Sequence, residues 1–239
     1  GGGSTSSGTA AGGGAGSSYA AVATYTAAVA TSQAAEVVIS YSLQQATSTA
    51  LVVSPAGGST YGQSVTFTAT VSPVPGGTGT PAGTVTFLDG STALGTASLN
   101  AAGGAAYTTN SLSPGSHTVT AVYGGEPAFT GSASAALVYT VSRVPTTIVA
   151  QPVLATLPNL VATLTTGSGQ ALAGETITFT TTNLLGQKAI VCQAVTGPTG
   201  AATCTGGVLG QLFNLGLSYT ATFAGDADYL GSSAQGALL

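Results

Sequence analysis

Two cysteines, a close pair of aspartates, a single histidine and a single lysine are the residues of this chain whose chemistry could define a site. Cys192 and Cys204 flank Gly197-Pro198-Thr199-Gly200, a turn signal between two short runs of mixed polar and apolar residues. A hairpin centred on Pro198 places the cysteines directly opposite each other, within disulfide reach at a non-hydrogen-bonded pair. Closing a loop of this size contributes about 3 kcal/mol on the chain-entropy account. The alternative is two unpaired thiols buried in a reducing compartment. The disulfide reading carries with it an extracellular or cell-surface location. A zinc site built on these cysteines lacks ligands, because the one histidine, His117, lies far from them in the chain.

The remaining candidates favour structural roles. Asp226 and Asp228 supply two carboxylates at a corner, where calcium needs six to eight oxygens. A carboxylate capping nearby backbone N–H groups is the expected role. His117 follows Pro114-Gly115-Ser116 at a strand start, and no nucleophile motif accompanies it. Lys188 shares its unit with Glu175, Asn183 and Asn214, the residue types of a Lys–Asn cross-link, yet it sits in the polar turn Gly186-Gln187-Lys188. Tyr19, Tyr25 and Tyr41 could stack on surface glycans, with packing as the default role. No Asn begins an N-glycosylation signal.

Composition narrows the function further. Charged residues make up 3% of the chain, against about 25% in an average soluble domain. The net charge of −4 reflects a scarcity of bases, so no basic surface exists for nucleic acid. Mean hydropathy of +0.45 comes from Ala and Val interleaved with Thr, Ser and Gly. No run of roughly 18 apolar residues follows from it, so no membrane span is expected. Acid, base and nucleophile cannot be gathered from so few, scattered groups. The expectation is a protein that is no enzyme, with no catalytic residue, no cofactor and no metal.

The elements that carry these residues repeat. Ser32-Gln-Ala-Ala-Glu-Val-Val, Ser132-Ala-Ser-Ala-Ala-Leu-Val and Ser232-Ser-Ala-Gln-Gly-Ala-Leu recur at an offset of 100 residues. Three segments result: a Gly/Ser/Ala-rich leader over 1–46, one unit over 47–142 and a second over 143–239. Val65-Thr-Phe-Thr-Ala-Thr-Val71 alternates strictly, which predicts a half-buried antiparallel strand. Further strands are predicted at Thr84–Leu88, Thr96–Leu99, Ala105–Thr109, Thr118–Tyr123 and Ala136–Val141. Short strands at this density with no helical period give an all-β sandwich in each unit. In this alignment Cys192 and Cys204 fall on Thr96 and Thr108.

The first unit resembles the bacterial Ig-like domain repeats of long surface and secreted proteins. The resemblance rests on Tyr61-Gly-Gln-Ser-Val-Thr-Phe67, Pro81-Ala-Gly-Thr-Val-Thr-Phe-Leu-Asp-Gly90 and Gly115-Ser-His-Thr-Val-Thr-Ala-Val-Tyr123. It extends through the Gly-Asp-x-x-Tyr-x-Gly-Ser corner of the second unit. It implies two tandem immunoglobulin-like β-sandwiches and a spacer, stalk or adhesive role.

Two ends of the repeat stand out of phase. Val37, Val38, Ile39, Tyr41 and Leu43 lie in a strand resembling the closing strand of the first unit, with no full sandwich before it. The second unit's own closing strand stops at Leu238 and Leu239. The expectation is that this spare strand of one copy adds to the Leu238–Leu239 edge of the next, giving a head-to-tail homopolymer. The alternative is a fragment of a long Ig-like repeat adhesin, acting as a spacer or binding surface glycans or a receptor.

Overall fold

The computed structural model describes residues 21–27, 37–153, 159–182, 186–204 and 218–237. All regular elements among them are β-strands. The chain forms two compact units. Strands β1 (Ala21–Ala27) and β2 (Val37–Leu43) precede the sandwiches and pair antiparallel with each other.

The first sandwich contains β3 (Thr47–Ser54), β4 (Ser59–Thr60), β5 (Val65–Pro73), β6 (Thr84–Asp89) and β7 (Thr92–Ser98). It continues through β8 (Gly104–Thr109), β9 (Gly115–Tyr123), β10 (Ser132–Ala133) and β11 (Leu137–Ser142). One sheet runs β3-β5-β8; the other runs β4-β11-β9-β6-β7, with β10 also on β9. The predicted alternation decides which side faces in. Val65, Phe67, Ala69 and Val71 of β5 are all buried, as are Val85, Phe87, Val119, Ala121 and Tyr123 on the other sheet's strands. Burying each large apolar side chain contributes about 1.5–3 kcal/mol before entropy is counted.

The second sandwich contains β12 (Thr146–Ala150), β13 (Leu160–Thr166), β14 (Thr176–Thr182) and β15 (Lys188–Val195). It is completed by β16 (Ala201–Cys204), β17 (Ser218–Gly225) and β18 (Leu230–Ala237). Its sheets run β12-β13-β16 and β15-β14-β17-β18. Leu160, Leu164, Ile177, Phe179, Tyr219 and Phe223 fill the core. The rings of Phe179 and Tyr219 lie tilted with centroids 6.0 Å apart.

Both units share three local devices. The register slips between Phe87 and Leu88 of β6 where it pairs with β7, and between Phe179 and Thr180 of β14 where it pairs with β15, the mark of a bulge that turns the edge strand. Gln45 and Val144 each lie parallel to a corner: Gln45 N–H donates to Ala128 O, and Val144 N–H donates to Asp228 O. A glycine in the left-handed region ends the crossing turn of each unit. Gly103 and Gly200 both have φ of +75°, and a Cβ on either would strike a carbonyl, Val71 O or Leu164 O.

Candidate functional site

Cys192 and Cys204 are disulfide-bonded, with Cα atoms 6.3 Å apart. The expected geometry needs correction. The cysteines are not opposed partners in one hairpin, because β15 pairs with β14 while β16 pairs with β13. The turn at Gly197–Gly200 carries the chain from one sheet to the other. The bond therefore ties the two sheets together, although only 12 residues separate its ends. The matching positions in the first unit also shift. Val71 N–H donates to Gly103 O as Leu164 N–H donates to Gly200 O, which sets Gly103 against Gly200 at an offset of 97. Phe87 faces Gly95 where Phe179 faces Cys192, at the same point before the bulge. Cys192 and Cys204 thus correspond to Gly95 and Tyr107, and not to Thr96 and Thr108.

The acidic corner is built for turn geometry. Asp226 Oδ1 accepts the N–H groups of Asp228 and Tyr229, each at 2.7 Å. This is the capping role expected of it. Glu126, at the same corner of the first unit, instead accepts Ala82 N–H at 3.0 Å through Oε1. Partial burial, then the Asp226 carboxylate and a hydrogen bond with it, then Asp228, hold the Glu175 carboxyl above the ordinary range. Among the described residues no group of three or more His, Cys, Asp or Glu is arranged to hold a metal ion.

His117 is nearly enclosed, and its Nε2–H donates to Ser113 O at 2.7 Å, within the turn before β9. Lys188 opens β15 on its exposed side. Asn183 and Asn214, its cross-link candidates, lie outside the described residues, as does Tyr19. Sequence reading missed a clasp common to both units. Thr47 Oγ1 donates to Thr130 O and meets Ser132 Oγ, while Thr146 Oγ1 donates to Leu230 O and meets Ser232 Oγ. The recurrence of Ser132 and Ser232 at 100 residues was its visible signal.

The strand over Val37, Val38, Ile39, Tyr41 and Leu43 is not without a partner, which corrects the reading of it as a lone spare strand. It pairs along its whole length with β1, from Ala21↔Leu43 to Ala27↔Val37. Among the described residues this two-stranded ladder joins no sheet of either sandwich. Leu43 is exposed at its end. Leu238 and Leu239 lie outside the described residues. Up to Ala237 the closing strand is continuous: β18 pairs with β17 from Ser218↔Ala237 to Gly225↔Leu230. The first unit's equivalent is broken into β10 and β11, and Ser134 Oγ accepts Ala121 N–H in the gap. No described helix is long and apolar enough to cross a membrane.

Two sandwiches of this strand order make this an all-β, immunoglobulin-like protein. Residues 51–142, within the first sandwich, match the bacterial Ig-like domain (group 3) family. No curated protein matches the chain. Similar solved structures include the BSP domain of a biofilm associated protein, 15% identical over 76% of this chain and 28% of that one, at a TM-score of 0.27. The adhesin InvE of Yersinia pseudotuberculosis is 14% identical over 80% of this chain and 58% of its own, at a TM-score of 0.37. The D0-D1 domain of intimin is 17% identical over 79% of this chain and 96% of its own, at a TM-score of 0.28. The chain thus spans 28% and 58% of the first two.

Proposed function

We propose that this protein is a non-enzymatic structural component of a bacterial cell surface, and that its copies join head to tail by strand addition. The observation behind the assembly is the β1–β2 ladder, which stands apart from both sandwiches among the described residues. Two strands alone are marginally stable in water, so such a hairpin gains by joining a third. The fitting acceptor is β18, the end strand of its sheet. Its outer edge takes two backbone bonds among the described residues, from Leu230 N–H to Val144 O and from Val153 N–H to Ala237 O, one at each end of the strand. Leu230–Ala237 holds no charge, no proline and no break, the features that usually guard an edge. Val37–Leu43 is equally uncharged and of similar length. Backbone bonding would supply affinity, and the alternating side chains register. Removal of residues 1–45 should abolish filaments seen by electron microscopy of the full chain. Normal filaments from the shortened chain would refute strand addition.

A second reading is a spacer in a long repeat adhesin, with surface glycans as its ligands. The Thr–Ser clasp and corner bridge repeated in both units favour it, since they fix each module in the same way. Retention of the monomer on a glycan array, with no polymer formed, would support this reading over the first.

A further inference from the structure

Among the connections that carry the chain between sheets, the turn from β7 to β8 in the first sandwich matches the turn from β15 to β16 in the second. The turns are built alike. In the first, Asn100 N–H donates to Gly104 O and Gly103 N–H donates to Asn100 O. In the second, Gly197 N–H donates to Ala201 O and Gly200 N–H donates to Gly197 O. The same offset of 97 residues relates the pairs beyond each turn. Where the second unit has Cys192 and Cys204, the first has Gly95 and Tyr107. Those two residues also touch. The Tyr107 ring lies so close over Gly95 that a Cβ there would run into it. The ring stacks on Phe87 as well, with centroids 5.8 Å apart and planes 25° apart.

We infer that these pairs are two versions of one latch between the sheets, aromatic in the first sandwich and covalent in the second, so that reduction releases the second sandwich alone. Gly95 leaves room for a ring that spans from β8 to β7; in the second unit the same gap is spanned by two Cβ–Sγ arms. The chemistry of release balances with a dithiol reductant. Its thiolate attacks one sulfur of the Cys192–Cys204 bond and forms a mixed disulfide. Its second thiolate then displaces that cysteine, leaving two protein thiols and an oxidised, cyclic reagent. What is freed is β15, an end strand held, among the described residues, only by β14 in its sheet, with Ile190 and Val195 already exposed on it. Opening there would uncover the edge of β14 with its row of unpaired backbone groups.

Hydrogen exchange of the full chain with and without dithiothreitol tests this inference. Amides of β15 and β16 should exchange roughly a hundredfold faster once reduced, with β7 and β8 unchanged. Equal acceleration in both sandwiches, or none in either, would overturn it. The equivalence of the positions has its own test in Gly95→Cys/Tyr107→Cys. That variant should form a second disulfide in air, leaving no thiol for a thiol-reactive dye. A folded variant with both thiols still reactive would refute the equivalence. If the variant does not fold, the exchange experiment still decides.

Discussion

Two buried tyrosine hydroxyls make opposite demands, and deleting each in turn tests how polar groups were placed in these cores. Tyr219 is 1% exposed, and its hydroxyl faces the carbonyls of Gln151 and, at 2.9 Å, Val161. Val161 O also accepts Gln151 N–H, so it keeps a partner if the hydroxyl goes; Gln151 O loses its own. Tyr219→Phe should therefore cost about 1–1.5 kcal/mol, the ordinary net value of one buried hydrogen bond. Tyr123 is equally enclosed, but its hydroxyl has no hydrogen-bond partner among the described residues. Tyr123→Phe removes a desolvated group that gains nothing, so it should be neutral or stabilise by up to about 1 kcal/mol. The second unit already carries Phe223 at that position. Urea denaturation of the full chain reads both: a midpoint lowered by roughly 1 M for Tyr219→Phe, and unchanged or raised for Tyr123→Phe. An alkaline series gives an independent reading. Burial pushes the Tyr219 hydroxyl up to about 12. The native state then holds its proton after the unfolded chain has lost it. This contribution is full below pH 10 and falls as pH rises towards 12, by about 1.4 kcal/mol per pH unit. Tyr219→Phe should flatten that fall. Equal costs for the two deletions, or an unchanged alkaline slope, would refute the reasoning.

Two further outcomes follow from the same packing. Phe179→Ala should destabilise the second sandwich by about 3–5 kcal/mol and leave the first untouched, as two separated transitions in a denaturation curve would show. Glu175, whose carboxyl is held up in the native state, contributes stability that is present at low pH and lost as pH rises through its raised value. Glu175→Gln should therefore stabilise the second sandwich at neutral pH and remove its gain on acidification, measured as melting temperature against pH.

How much of this was legible in the sequence varies by element. Val65-Thr-Phe-Thr-Ala-Thr-Val71 announced β5 and its inward face, because a strand's side chains alternate whatever surrounds it. The 100-residue recurrence announced the two units and, through Ser132 and Ser232, pointed at the clasp. The disulfide partners were legible from their spacing. Their geometry was not. A glycine-proline turn looks the same in sequence whether the following strand folds back on its neighbour or crosses to the other sheet. Strand pairing through Leu160↔Cys204 settles that, and no local signal carries it. The alignment to Thr96 and Thr108 failed by one residue for the same reason: unequal loops hide an offset that only the hydrogen bonds at Gly103 and Gly200 restore.

Fold class, tandem units and the bonded cysteine pair were readable along the chain, because alternation, turn residues and repetition are local or periodic properties. That the disulfide joins two sheets, that Tyr107 over Gly95 stands in its place, and that β2 pairs with β1 came from the assembled fold. Each of these depends on which strands meet across the core, and that pairing is chosen by burial of the whole set of apolar faces at once.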